Sequence, residues 1–249
     1  MEIKGIPFDS PLYQVDPDRG IEYIGCEGLM AMFSIAGDVS PLLPEGLEPA
    51  SSPAVGGVWY ADYPFSTVGI YREFLTIIQV RDEHGETGSY VPYIYVTNDA
   101  GMAAGREILG APKKLAGINL RSELGIVQGE LERPATKRLA TMTLKPSTRL
   151  DPSFMGEFLD GPSPMYSVRH LPPVGGEGGV TQLVKWYGEV LLHRDAGGDP
   201  AAFTGPCSLT YDSPSVIDPV HRVAVDEMIA GVYMRFDMHL KLGRVLRTL

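Results

Sequence analysis

The segment SYVPYIYVTNDAGMAAGREILGAPKKLAG, residues 89–117, places a strand, a helix and a second extended stretch in close succession. Residues 89–96 are rich in aromatic and β-branched side chains, which favour a strand. Asn98 or Asp99 can cap a helix that the Gly-Ala-Pro tripeptide then ends. The segment therefore predicts a strand, one helix over residues 98–110, and a return to extended backbone at two adjacent lysines.

Lys113 and Lys114 follow the predicted helix side by side. Successive side chains of an extended segment point to opposite faces, so only one of the two ammonium groups can face an apolar interior. Burial disfavours the charged form of an ammonium, and a neutral lysine amine can attack a ketone to form an imine. A lysine pair is also an ordinary feature of solvated surfaces. The spacing alone leaves both interpretations open.

Most of the remaining chain predicts strands. Gly and Pro contribute 29 and 21 of the 249 residues, a density that favours many short strands and turns. Two aromatic and β-branched runs, 69–81 and 89–96, flank DEHGETG, which is typical of a β-hairpin. From Val232 to Leu242 apolar and polar side chains alternate, which predicts a strand with one buried face. The sequence thus predicts a mainly β fold of the α+β class, barrel-like, with one notable helix.

Charge and composition exclude several classes of function. The net charge is −10, from 21 basic and 31 acidic residues without a basic cluster, so we expect neither nucleic acid nor a membrane as partner. No run of about 18 apolar residues could span a bilayer. Residues 1–10, MEIKGIPFDS, lack the features of a signal peptide. Cys26 and Cys207 form no disulfide framework, which suits a cytoplasmic protein.

Neither a repeat nor a linker divides the chain, and we expect a single domain over residues 1–249. The stretch PPVGGEGG, residues 172–179, is short enough to be a loop between strands. It lacks the Gly-Lys-Ser/Thr ending of a phosphate-binding loop. The five histidines show no metal-ligand spacing. We therefore expect neither a metal nor an organic cofactor.

Residues 89–117 resemble the signature of the acetoacetate decarboxylase family. In that signature an aromatic strand leads through an Asn-acidic turn into a helix ending Gly-Arg-Glu, followed by Pro-Lys-Lys. Three shorter motifs are similar to the family's: YRE at 71–73, PEGL at 44–47 and TGP at 204–206. The resemblance extends from about residue 19 to 246. It implies a β-barrel or cone with the helix before Pro-Lys-Lys, and a homo-oligomer.

The resemblance also implies a set of catalytic residues. Lys113 would form a Schiff base with a keto acid substrate, and Lys114 would be its cationic neighbour. Glu73 is the candidate acid/base, and Tyr71 would lie on the same strand face and bind within the same site. Loss of CO2 from the imine of a β-keto acid gives an enamine, which is protonated and hydrolysed. Because the lysines should diverge, we expect desolvation to activate Lys113 more than Lys114 does.

Two departures from the family's pattern leave the activity open. Residues 23–28 lack the arginine that decarboxylating members carry shortly before the first strand. A second glutamate is expected on the strand before Tyr-x-Glu, but that strand offers only Asp62, which is out of register. An aldolase-dehydratase acting on pyruvate and an aldehyde through the same lysine is therefore one alternative. A non-catalytic barrel that binds a small molecule is another.

Several nearby residues have a structural interpretation beside a functional one. The aromatic side chains Trp59, Tyr60 and Tyr63 suit either a larger substrate or the packing of a core. Arg106 and Glu107 match the family's block, and we expect them to hold the end of the helix rather than to take part in catalysis.

Overall fold

The structure is a computed structural model that describes residues 18–151, 153–154 and 161–249. The segment 1–10, considered above for a targeting signal, lies outside this part of the chain. No helix within the described ranges is long and apolar enough to cross a membrane.

Strands make up most of the described chain and are numbered in chain order. They are β1 Ile21–Ile35, β2 Leu47–Pro49, β3 Val55–Tyr63, β4 Tyr71–Asp82, β5 Thr87–Val96, β6 Lys113–Leu115, β7 Gly117–Glu123, β8 Ile126–Glu132, β9 Arg138–Leu144, β10 Thr148–Arg149, β11 Ser163–Leu171, β12 Val180–Leu192, β13 Ala202–Thr204, β14 Cys207–Thr210 and β15 Val225–Thr248. The helical segments are α1 Asp99–Ala104, its π-helical continuation Gly105–Leu109, and 3-10 turns at Ser40–Leu42 and Val220–Arg222.

Seven strands form a ring that closes on itself. Their order is β1-β3-β4-β5-β11-β12-β15, and β15 pairs with β1 to complete the circuit. Neighbours in the ring are antiparallel except β5 and β11, which are parallel. The mainly β, barrel-like fold is confirmed, but the ring is not a regular barrel because β2, β6, β10 and β13 branch from it. A second sheet, β14-β9-β8-β7, contacts the outside of the ring.

Alternation along the ring strands divides the buried side chains into two cores. On β3, Trp59 belongs to the core inside the ring, whereas Tyr60 belongs to the core shared with the second sheet. On β4, Leu75 and Phe74 divide in the same way. The predicted alternation near the C-terminus is confirmed in β15, where Val232 and every second residue to Leu240 are buried. The inner core surrounds the candidate site.

The helix predicted at residues 98–110 is confirmed, with one difference. Asn98 caps it by accepting a hydrogen bond from the Gly101 N–H at 2.7 Å, and Gly110 ends it in the left-handed region at φ 72°. Its second half is a π-helix, a wider form that often occurs at functional sites and that the sequence pattern did not predict. The hairpin between β4 and β5 and the loop at 172–179 between β11 and β12 also agree with the sequence.

A buried ion pair outside the predicted site anchors the β4–β5 hairpin to β12. The ammonium of Lys185, which is 1% exposed, lies 3.4 Å from the Asp82 carboxylate and also contacts Glu86. Tyr166 donates a hydrogen bond to Asp82 at 3.0 Å. Burial opposes the charge of Lys185, but its hydrogen bond to Glu86 and the charge of that carboxylate raise its pKa above the ordinary value. Lys185 therefore remains a structural cation rather than a nucleophile.

Replacing Lys185 by alanine should lower the free energy of unfolding by about 3–5 kcal/mol, because the buried Asp82 carboxylate would lose its countercharge. Urea unfolding followed by circular dichroism measures this loss. The control is Lys241→Ala, which removes a half-exposed pair with Glu189 at 3.7 Å and should cost less than about 1 kcal/mol. Equal losses of unfolding free energy in the two variants would contradict the interpretation of Lys185 as a buried structural cation.

Candidate active site

The site lies inside the ring where β6 pairs in parallel with β5. This pairing places Lys113 beside Ile94 with its side chain in the interior. Its Nζ lies 2.8 Å from Oε2 of Glu73 on β4, and the two side chains are only 5% and 8% exposed. Two of the residues selected from the sequence are therefore in direct contact, in surroundings that exclude most water.

Lys114 points to the other face of β6, as the alternation of an extended strand predicts. Its Nζ lies 3.0 Å from Oδ1 of Asp218 and donates to the Ile217 carbonyl. The same carboxylate oxygen accepts a hydrogen bond from Nε of Arg133 at 3.1 Å. The predicted divergence of the two lysines is confirmed. The charge of Lys114 is paired outside the inner core and ties β6 to the segment before the last 3-10 turn.

Two residues of the Gly-Arg-Glu sequence at the end of the helix lie against Lys113. A Cβ at Gly105 would lie 2.4 Å from Cδ of Lys113, so only glycine leaves room for the lysine stem. Arg106 donates to the Lys113 carbonyl at 3.2 Å and so fixes the start of β6. Glu107 is exposed on the helix surface. The contact of Arg106 agrees with the structural role expected for it.

Three tyrosines that pack against one another lie beside the Lys113–Glu73 pair. Tyr63 donates to Oε1 of Glu73 at 3.1 Å, the oxygen not in contact with the lysine. The Tyr71 ring centroid is 5.2 Å from the lysine Nζ, and its hydroxyl is 2.7 Å from that of Tyr23. Burial is the main cause that raises the pKa of all three tyrosines well above the ordinary value, and the Glu73 charge adds to it. The hydroxyls therefore stay protonated.

Two of these tyrosines were not selected as site residues from the sequence. Tyr63 is the register partner of Tyr71 across the β3–β4 hairpin. A correct hairpin register would therefore have placed Tyr63 beside Tyr71 in the site. Tyr23 lies in the stretch that lacks the family's arginine, and no spacing signal marks it. Tyr71 shares the face of Glu73 as predicted, but its proposed contact with substrate stays a prediction.

On β3 an alanine, rather than a second glutamate, lies opposite Glu73. Ala61 is the register partner of Glu73 on β3, so a methyl group faces the acid/base candidate at that position. Asp62 points to the opposite face, where its carboxylate lies 3.5 Å from Arg72. The expectation that Asp62 is out of register is confirmed.

A cavity extends from Glu73 into the ring and opens to solvent. All seven ring strands contribute to it. The residues that line it are Met30, Trp59, Tyr63, Glu73, Leu75, Ile77, Ser89, Ser163, Met165, Trp186, Gly188, Val190, Met238 and Leu240. Two of the three aromatic candidates from β3 therefore face the cavity, while Tyr60 packs in the outer core.

The arrangement suits covalent lysine chemistry. An amine lies next to a carboxylate that can take up and return its proton. The Tyr63 hydroxyl binds that carboxylate, and the Tyr71 ring lies against the lysine ammonium. Within the described ranges no group of three or more histidine, cysteine, aspartate or glutamate side chains could hold a metal ion.

Comparisons with known proteins identify similar sequences and a similar fold. A family model described as acetoacetate decarboxylase (ADC) matches residues 9–249. An acetoacetate decarboxylase of Burkholderia mallei is 29% identical over 244 residues, which cover 97% of this chain and 93% of the relative. The crystal structure of the Legionella pneumophila acetoacetate decarboxylase superimposes with a TM-score of 0.82 at 26% identity, covering 94% of this chain and 88% of that one.

A further solved structure shares the fold. The enduracididine biosynthesis enzyme MppR, solved in complex with pyruvate, has a TM-score of 0.72 at 19% identity and covers 91% of this chain and 90% of its own. Because the family model matches nearly the whole chain, including the segment with the two lysines, this protein belongs to the acetoacetate decarboxylase family.

Proposed function

We propose that the protein is a Schiff-base-forming lyase that decarboxylates a β-keto acid. The observation that carries the proposal is the contact of 2.8 Å between Nζ of Lys113 and the carboxylate of Glu73, both buried, with Glu73 lining one end of an apolar cavity. Membership of the acetoacetate decarboxylase family supports lyase chemistry of this kind.

The reaction begins with transfer of a proton from the Lys113 ammonium to Glu73, which frees the amine. The amine attacks the substrate ketone, and Glu73 returns the proton as the ketone oxygen leaves as water. The resulting iminium withdraws the electrons of the bond to the carboxylate, so that CO2 departs and an enamine remains. The enamine carbon takes up a proton from solvent, and addition of water to the resulting iminium releases the ketone and restores the Lys113 ammonium.

The lining of the cavity favours decarboxylation over aldol chemistry on pyruvate. A substrate that keeps its carboxylate needs a cation or several donors to hold that charge in an apolar site. Among the described residues that line the cavity there is no arginine or lysine, and the charged group present is the anionic side chain of Glu73. A β-keto acid also binds as a carboxylate, but its charge is lost as CO2 leaves, so apolar surroundings favour that step, whereas pyruvate keeps its carboxylate throughout an aldol reaction. The complex of MppR with pyruvate nevertheless makes pyruvate the right competitor to test.

A non-catalytic binding role explains the site less well. Placing a lysine and a glutamate together in a water-poor interior is costly, and the pair does little for stability. A protein that only binds an apolar molecule gains nothing from such a pair. An apolar cavity that ends at a few convergent polar groups is instead typical of binding and catalytic sites.

Lys114 acts in this proposal by positioning Lys113. Its contacts with Asp218 and the Ile217 carbonyl fix the outer face of β6 while Lys113 projects from the inner face. Because the charge of Lys114 is paired with Asp218 on the outer face, Lys114 acts on Lys113 through the position of β6 rather than through its charge.

Borohydride reduction in the presence of acetoacetate should leave a stable adduct on Lys113, because reduction traps the imine. Intact-protein mass spectrometry and peptide mapping measure its mass and position. An adduct that lacks the mass of CO2 indicates decarboxylation, whereas a full-mass pyruvate adduct indicates the aldolase alternative. The peptide that contains Lys185 should stay unmodified as an internal control. Trapping that persists in Lys113→Ala would show that the nucleophile is elsewhere.

Replacing Glu73 by glutamine should lower kcat by about 10²–10⁴-fold, the usual contribution of a positioned acid/base. Steady-state release of CO2 measures the loss. The matched control is Asp62→Asn, a carboxylate on the opposite face of the neighbouring strand, which should retain nearly full activity. Comparable losses in both variants would argue against an acid/base role for Glu73.

The Lys114→Gln variant should lower kcat moderately while the midpoints of the pH profile of kcat/KM stay within about half a unit of the wild-type values. Arg133→Gln is the matched control, because it removes another cation from Asp218 without changing the lysine pair. A shift of one unit or more, equivalent to about 1.4 kcal/mol, that occurs only in Lys114→Gln would show that its charge activates Lys113 directly.

A further inference from the structure

We propose that the natural substrate is a β-keto acid with an unbranched apolar chain several carbons longer than that of acetoacetate, and that the ring cavity holds this chain. The inference rests on the proposed lysine chemistry and specifies the substrate class for the same site.

The cavity runs along β4 away from the reacting pair. Glu73, Leu75 and Ile77 alternate on the same face of this strand, and all three line the cavity. The distance from the first to the third along an extended strand is about 13 Å. A substrate whose ketone reaches Lys113 therefore has a continuous apolar wall along which its remaining chain can lie.

The far end of the cavity is marked by small and polar residues. Ser89 is the register partner of Gln79, which lies about 20 Å from Glu73 along the same strand. The Gln79 amide donates to the Ser89 hydroxyl at 2.8 Å. Ser163 and Gly188, which pair across β11 and β12, lie at the same end. The apolar section is thus bounded by Glu73 at one end and by serine hydroxyls at the other.

The side walls are rigid and aromatic. The Trp186 indole N–H donates to the Ser167 hydroxyl at 3.1 Å, and that hydroxyl donates to the Leu109 carbonyl at the end of the π-helix. The Trp59 ring packs edge-on against Phe236 with centroids 5.3 Å apart. Walls fixed in this way favour a slim methylene chain, which can follow the space between them without moving either indole.

Acetoacetate would leave most of this surface without contact. It carries a single methyl group beyond the ketone, so the walls beyond Leu75 would gain nothing from its binding. Each additional buried methylene contributes about 0.8 kcal/mol of transfer free energy, which corresponds to roughly a fourfold gain in kcat/KM. Apart from Glu73, no charged side chain is found among the described residues of the lining, so the chain should be uncharged.

The test compares acetoacetate, β-ketohexanoate and β-ketooctanoate as substrates of the wild-type protein. Initial rates of CO2 release, corrected for spontaneous loss, should give a kcat/KM that rises about fourfold per methylene across the series. Borohydride trapping on Lys113 is run with each acid in parallel.

Gly188 provides a variant that shortens the cavity from its far end. A Cβ there would meet Cδ2 of Leu240 at 3.5 Å and Cγ of Met165 at 4.0 Å, which are ordinary contacts, so the Cβ of a larger residue fits without backbone movement. Gly188→Val should lower the ratio of kcat/KM for β-ketooctanoate to that for acetoacetate at least tenfold, and Gly188→Ala should lower it less. Gly117→Val, at a β7 glycine with similar room outside the cavity, should leave the ratio unchanged. Circular dichroism checks that each variant is folded.

The outcomes separate this inference from the proposed function. A flat or falling series, with Lys113 still trapped by acetoacetate, overturns the long-chain substrate and leaves the lyase proposal intact. An unchanged ratio in a folded Gly188→Val protein overturns the placement of the chain. Failure of all three acids to label Lys113 overturns the lyase proposal and, with it, this inference.

Discussion

The contact between Lys113 and Glu73 inside the ring is the feature on which the rest of the site depends. Burying an ammonium and a carboxylate together costs several kcal/mol per ion, so the fold must hold them firmly to keep them there. The Tyr63 hydroxyl donates to Oε1 of Glu73, the oxygen that does not contact Lys113. Gly105 has no side chain and therefore leaves space for the methylene groups of Lys113. The Lys114–Asp218 contact anchors the same short strand from outside.

Side chains along an extended strand alternate between its two faces, and this alternation separates Lys113 from Lys114. Lys113 lies in the apolar interior and Lys114 makes an ionic contact outside it, because neighbouring side chains leave β6 on opposite faces. The same rule separates Trp59 from Tyr60 and Leu75 from Phe74. The inner faces of the ring strands form the cavity, while the outer faces pack against the second sheet. The reacting pair and the surface proposed for the substrate chain are therefore parts of one inner core.

Local patterns predicted the strands, the capped helix, the β4–β5 hairpin and the divergence of the lysines, since each depends on residues close together in sequence. Features that depend on distant pairing could not be predicted. The ring closes through β1 and β15, the partner of Lys114 is Asp218, and Tyr23 reaches Tyr71 only because β1 lies beside β3. The cavity is assembled from seven strands, so no single stretch of sequence carries its signal.

The most direct measurement of the central claim is decarboxylation in water enriched in oxygen-18. If the reaction passes through an imine on Lys113, the ketone oxygen must leave and be replaced from solvent, so every molecule of product ketone should carry the heavy isotope when it is first released. Mass spectrometry of product collected before spontaneous exchange gives the answer. A product that retains the original oxygen, from an active wild-type protein, would contradict Schiff-base chemistry at the Lys113–Glu73 pair.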